Sequence, residues 1–178
     1  MNSSNQQNEN IVIDIACDDE KWSVVINDYE AIIQSRIRCV LEQVVPWLKN
    51  VEVSVYLTNN VNVQRLNKDY RHKDHPTNVL SFGVLNRPLK AGDLKNSKEP
   101  FFLGDVVLSY GVIQQEALEQ NKNILDHLSH LLVHGVLHLL GYDHEDREDA
   151  ENMENLEIDI LKKFSIKNPY ECRGEVTI

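Results

Sequence analysis

Between Leu128 and Leu140 the chain is apolar at Leu128, Leu131, Leu132, Val133, Val136, Leu137, Leu139 and Leu140. These positions cover most of a helix's circumference, and a helix apolar on nearly every side is a buried one. Polar side chains are expensive there unless they are satisfied. Yet His127, His130, His134 and His138 follow one another at spacings of three, four and four, all along one face. His134 and His138 leave that face with Cβ atoms about 5–6 Å apart, close enough for two imidazoles to hold one ion. Gly141 stands where a helix commonly ends in the left-handed conformation, and the turn it permits brings His144 back as a third ligand. Three protein ligands leave a tetrahedral zinc one open position, which is the arrangement of a catalytic rather than a structural site. The expected ligands are therefore His134, His138 and His144, holding one zinc ion. His127 and His130 are not expected to be ligands; packing suits both, and His130 could also support the ligand one turn away.

The remainder of the 178 residues alternates between strand and helix patterns. Strands are expected over Ile11–Ala16, Val51–Leu57, Asn78–Leu85 and Leu103–Ser109, the second from strict alternation of Val51, Val53, Val55 and Leu57 with polar neighbours. Helices are expected over Asp28–Leu48, from a cap at Asn59 or Asn60 through Tyr70, and over Gly111–Asn121, Asp126–Leu140 and Asp146–Phe164. In the last, Ala150, Met153, Leu156, Ile160 and Phe164 form one stripe, which makes Met153 a core residue. The segment Asn86–Pro100, rich in Lys, Asn, Gly and Pro, reads as an exposed loop. No repeat or linker divides the chain, so a single α/β or α+β domain over residues 11–178 is expected, helices packed on a small sheet, behind a polar tail over residues 1–10.

Composition narrows the setting. No apolar run approaches the ~20 residues that span a bilayer, and the first ten residues lack the basic and apolar parts of a secretory signal. Cys17, Cys39 and Cys172 are scattered and odd in number, which suits reduced thiols in the cytoplasm. The formal net charge of −10 is unevenly spread. Arg65–Glu99 holds eight Lys/Arg against four Asp/Glu, whereas Asp143–Asp159 holds nine acids and one base. A basic middle of this kind can meet a polyanion despite the acidic total, or can simply be a solvated face.

The histidine spacing is that of the metzincin proteases, but those carry a Glu after the first histidine as general base. Gly135 stands there and cannot move a proton. A zinc peptidase would need a base from elsewhere, such as Glu145 or Asp146. A purely structural site would need a fourth ligand, for which Cys39 or Cys172 are the candidates.

The string His134-Gly135-Val136-Leu137-His138-Leu139-Leu140-Gly141-Tyr142-Asp143-His144 closely resembles the YbeY family of bacterial metal-dependent endoribonucleases. Leu66-Asn67-Lys68-Asp69-Tyr70-Arg71 with Lys73–Phe82, and Leu103–Ser109, resemble that family's other motifs in the same order. The family often has Asp where Asn78 stands and Pro where Gly83 stands. The resemblance implies a small mixed four-stranded sheet with helices around a central metal-bearing helix. It implies zinc on His134, His138 and His144 and cleavage of single-stranded RNA in 16S ribosomal RNA 3′-end maturation and ribosome quality control. The small ribosomal subunit would be a partner; neither DNA nor a membrane would be. A non-enzymatic ribosome-assembly protein with a structural metal is the other reading. The family's important arginine falls on Arg71, whose guanidinium can hold the charge that develops on phosphorus oxygens; Lys73 could help as a point charge. The alternative for Arg71 is a surface ion pair with Asp74. Asp143 could orient a ligand histidine or serve the turn. Either an activated water or the substrate's own 2′-hydroxyl could be the nucleophile.

Overall fold

The computed structural model describes residues 10–94, 100–144 and 146–171. Four strands, β1 (Asn10–Cys17), β2 (Asn50–Thr58), β3 (Val79–Gly83) and β4 (Phe101–Ser109), form one sheet in the order β1-β2-β4-β3. β1, β2 and β4 run parallel and β3 is antiparallel to β4, so the sheet is mixed, as the family resemblance implies. The helices are α1 (Lys21–Val25), α2 (Tyr29–Val44), α3 (Asn60–Arg71), α4 (Tyr110–Glu119), α5 (Ile124–Leu139) and α6 (Arg147–Lys162). None among the described residues is long and apolar enough to cross a membrane.

The alternation in β2 does what its period dictates: Val51, Val53, Val55 and Leu57 are all fully buried on one face. Against that face lie α2, through Ile33, Ile37, Val40 and Leu41, and the apolar helix α5. α5 also packs on α4, α6, β3 and β4. Its apolar circumference is thus matched by neighbours on almost every side. The other face of the sheet carries a smaller cluster of Val63, Leu80 and Val107, covered by α3. Asn59 caps α3 by accepting from Asn62 N at 3.1 Å.

Boundaries differ from the sequence reading where local geometry intervenes. α2 stops at Val44 instead of Leu48, because Pro46 disfavours helical backbone in the residue before it. β3 stops at Gly83, and Leu85 lies beyond it. The one-turn α1 is too short for any periodicity to announce. The loop expected over residues 86–100 is irregular where it is described, and residues 95–99 lie outside the described residues.

At Gly135, α5 packs tightly against the sheet. A Cβ there would sit 2.9 Å from Val106 Cγ1, 3.1 Å from Ser81 Oγ and 3.3 Å from Val79 Cγ2. Ser81 Oγ donates to the Gly135 carbonyl at 3.0 Å across the same seam. A glutamate at this position would point into packed strands, which gives the missing metzincin base a steric reason. Gly135→Ala is expected to lower stability by about 1–2 kcal/mol, overpacking outweighing the gain in helix propensity. Urea denaturation measures it; unchanged or raised stability would mean that the seam yields to a methyl group.

Candidate metal centre

α5 ends in a backbone arrangement that delivers the third histidine. Gly141 N donates to His138 O at 3.0 Å and Tyr142 N to Leu137 O at 3.1 Å, the paired bonds of a Schellman motif. Gly141 has φ of +88°, and a Cβ on it would lie 2.0 Å from the Arg87 carbonyl oxygen. Only glycine satisfies both demands. Beyond the turn, His144 returns to its partners, with ring centroids 5.0 Å from His138 and 5.7 Å from His134. One nitrogen from each of His134, His138 and His144 lies within 4.8 Å of the others, so the three could hold a metal ion. Asp143 serves the turn, its carboxylate accepting from the His144 backbone N–H at 2.8 Å.

The hydrogen bonds around the rings fit such an ion. His138 Nδ1 lies 2.9 Å from the Tyr142 carbonyl and His134 Nδ1 lies 2.7 Å from Glu157 Oε1. A carbonyl and a carboxylate only accept, so both Nδ1 atoms carry the proton. That leaves the lone pairs of neutral rings on Nε2, and the two Nε2 atoms face each other at 3.1 Å. Two lone pairs so placed repel unless a cation lies between them. His138 is held neutral: burial, then the neighbouring His134 and His144, push its pKa down to about 4.

Glu157 was not singled out in the sequence, and it organises the site from behind. It is completely buried on α6. Its carboxylate accepts from His134 Nδ1, from His130 Nε2 at 3.0 Å and from the Tyr170 hydroxyl. Burial alone would raise its pKa; the bonds from His130 and His134 overcome that and hold it at about 2. The available signal was its register, four after Met153 and three before Ile160, which places an acid inside an apolar stripe. His130 therefore supports the cluster indirectly, two hydrogen bonds from His134 by way of Glu157. His127 makes a separate pair with Glu116 Oε2 at 2.7 Å. Asn78 donates to the same carboxylate at 3.0 and 3.1 Å, so an amide where the family often has Asp avoids facing two carboxylates together.

A cavity of about 760 Å³ opens onto the histidines and is also lined by Arg71, Lys73, His75, Ser81 and Asn86. Arg71 is fixed by donation from Nη2 to the Ser81 carbonyl at 2.8 Å. It does not pair with Asp74, which is held by Lys68 at 2.7 Å and Gln64 at 3.0 Å. A second cavity, about 870 Å³, shares His134, His144, Asn78 and Val79 with the first but is lined by Glu116, Glu119, Glu154 and Glu157. The histidines thus sit on a saddle with a basic basin on one side and an acidic one on the other. Asp146 spends its carboxylate on capping α6, accepting from Asp149 N at 2.9 Å. Cys39 lines neither cavity. Glu145 and Cys172, the other candidates for base and fourth ligand, lie outside the described residues.

An α+β fold with a buried helix that ends in an accessible three-histidine cluster, an arginine facing the same cavity, defines a class of protein that could hold a metal ion where a ligand can reach it. The model of the family Endoribonuclease YbeY matches residues 14–165, and the chain belongs to that family. A Bartonella bacilliformis protein named Endoribonuclease YbeY is 45% identical over 152 residues, covering 85% of this chain and 89% of the relative. One of the same name from Francisella philomiragia is 46% identical over 123 residues, 69% of this chain and 75% of the relative. In fold, the chain resembles a solution structure from Thermotoga maritima with a TM-score of 0.52 at 21% identity, covering 93% of this chain and 98% of that one.

Proposed function

We propose that this chain is a zinc-dependent endoribonuclease that cleaves single-stranded RNA in the cytoplasm. Membership of a family whose relatives are named endoribonucleases supports RNA cleavage. Within that reading, its work is the maturation of the 3′ end of 16S ribosomal RNA and ribosome quality control, on or near the small ribosomal subunit. The observation that carries the chemistry is the opening of three convergent imidazole nitrogens and a fixed guanidinium into one cavity.

When bound, zinc supplies Lewis acidity that polarises a phosphoryl oxygen and favours deprotonation of water near neutral pH. His134, His138 and His144 would hold it. His134 and His138 meet it as neutral donors, their outer nitrogens tied to Glu157 and to the Tyr142 carbonyl. Arg71 spends one N–H on Ser81 and keeps others for the phosphate. A fork of N–H groups held in place before the reaction stabilises charge as it develops on the phosphorus oxygens. Lys73 adds a point charge in the same basin.

Arg71→Ala is expected to retain zinc and fold while single-stranded RNA cleavage falls by about 10²–10³-fold, the scale for losing a preorganised transition-state donor. Turnover on an unstructured RNA, beside zinc content by mass spectrometry, tests it. Unchanged turnover would remove Arg71 from the mechanism. Failure of the unaltered, zinc-loaded protein to cleave any RNA would refute the proposed activity.

A further inference from the structure

Arg71 stands at the rim of the sheet, and what lies on its other side has no part in the chemistry above. β3 is an edge strand, and its two faces point different ways. Ser81 and Gly83 face α5 and the metal cavity; Leu80 and Phe82 face α3. Phe82 is packed on the small cluster of Val63, Leu80 and Val107, so its ring is held firmly. Tyr70, in the last turn of α3, leans on it edge to face, ring centroids 5.3 Å apart and planes at 64°. Tyr70 is nevertheless 66% exposed, and Val84, two residues after Phe82 in sequence, is exposed as well. The guanidinium of Arg71 lies 5.9 Å from the Phe82 ring centre while also lining the metal cavity. Tyr70 is thus an exposed aromatic ring, braced from behind by Phe82 and set beside the fixed guanidinium of Arg71.

The combination matches what an unpaired nucleic-acid strand requires. Its bases offer π faces that stack on aromatic side chains whatever the sequence, while cations track the phosphates. A duplex keeps its bases stacked on each other and cannot use such a ring. The basic basin supplies the charge complement: Arg71 and Lys73 line it, and Arg65 is exposed on the same helix as Tyr70. We propose that Tyr70, braced by Phe82, is a stacking platform for an unpaired nucleobase of the substrate strand, one step along from the phosphate held by Arg71. The strand would cross the β3 edge there, phosphate toward the metal cavity and base on the opposite face. This rests on RNA being the substrate, and it gives a preference for single strands a physical origin in this chain.

The test separates base from backbone. Binding of fluorescein-labelled oligoadenylate to the full chain, under chelation so that no cleavage occurs, is compared with binding of an equally long oligomer of abasic units. Tyr70→Ala is expected to weaken oligoadenylate binding about tenfold and to leave the abasic oligomer unaffected. The slope of affinity against salt should not change, because no phosphate contact is lost. Tyr70→Phe should bind as the parent does, since stacking uses the ring. Tyr70→Trp should bind at least as well and show indole quenching on addition of oligoadenylate. Parental oligoadenylate affinity in Tyr70→Ala overturns the platform alone, as does an equal loss for both oligomers. If the unaltered protein binds neither oligomer, the platform and the RNA reading fall together.

Discussion

A His138→Ala variant is expected to lose stoichiometric zinc and RNA cleavage together while keeping its fold. His138 is the middle one of the three proposed ligands: its Nε2 lies 3.1 Å from that of His134, and its ring centroid is the nearer of the two to His144, at 5.0 Å. Removing it leaves two donors whose separation no other side chain on α5 bridges. A catalytic zinc needs three protein ligands, so two exchange the ion freely with solvent. The fold should hold because the ring faces the cavity, and the helix bonds of the last turn are backbone bonds that alanine supports well. Thermal stability of the metal-free variant should therefore stay within about 1 kcal/mol of the metal-free parent. Metal content by mass spectrometry, circular dichroism and cleavage of an unstructured RNA give the three readouts. One equivalent of zinc retained by the variant would refute this ligand set.

What could be read from the chain alone was whatever is local. The spacing of four between His134 and His138, and the glycine that turns the chain before His144, are facts of helix geometry and carry over directly into the cluster. The alternation in β2 and the apolar girth of α5 likewise fix which residues are buried. Partners from distant segments were not legible. Asp74, three residues from Arg71, is near enough in sequence for an ion pair with it to stand as the alternative reading of Arg71; tertiary packing gives Asp74 to Lys68 and Gln64 and turns Arg71 toward Ser81. The antiparallel course of β3 comes from pairing, not from its own sequence; composition and period could not supply it. Glu157 is the instructive omission. A buried acid on an apolar stripe requires donors, and four histidines on the neighbouring apolar helix required acceptors. Each half of that match was visible, but their meeting depends on α5 packing on α6.

Glu157 accordingly carries the second large effect. Glu157→Gln preserves volume and one acceptor oxygen but removes the charge that faces His134, and it is expected to weaken zinc binding by about 10–100-fold. In the parent, the carboxylate receives N–H from His134 and His130 and O–H from Tyr170, which uses only acceptor capacity. A glutamine places an NH₂ among those donors, so one of the three contacts becomes donor against donor or a ring must change tautomer. If the ring that changes is His134, the proton moves to the nitrogen that should ligate, and binding must displace it. Even where the tautomer holds, a neutral acceptor makes the imidazole a poorer base for the ion. Tyr170→Phe removes a single donor and leaves the charge, so its loss of affinity should be several-fold smaller. Competition with a zinc chelator measures both, and thermal melts of the metal-free proteins separate lost affinity from lost fold. Nitrogen-15 spectra of the histidine rings add a readout that requires no metal. They should show His134 protonated on Nδ1 in the parent and shifted toward Nε2 in Glu157→Gln. Parental zinc affinity in that variant would reduce Glu157 to a packing role and leave the orientation of His134 to the helix alone.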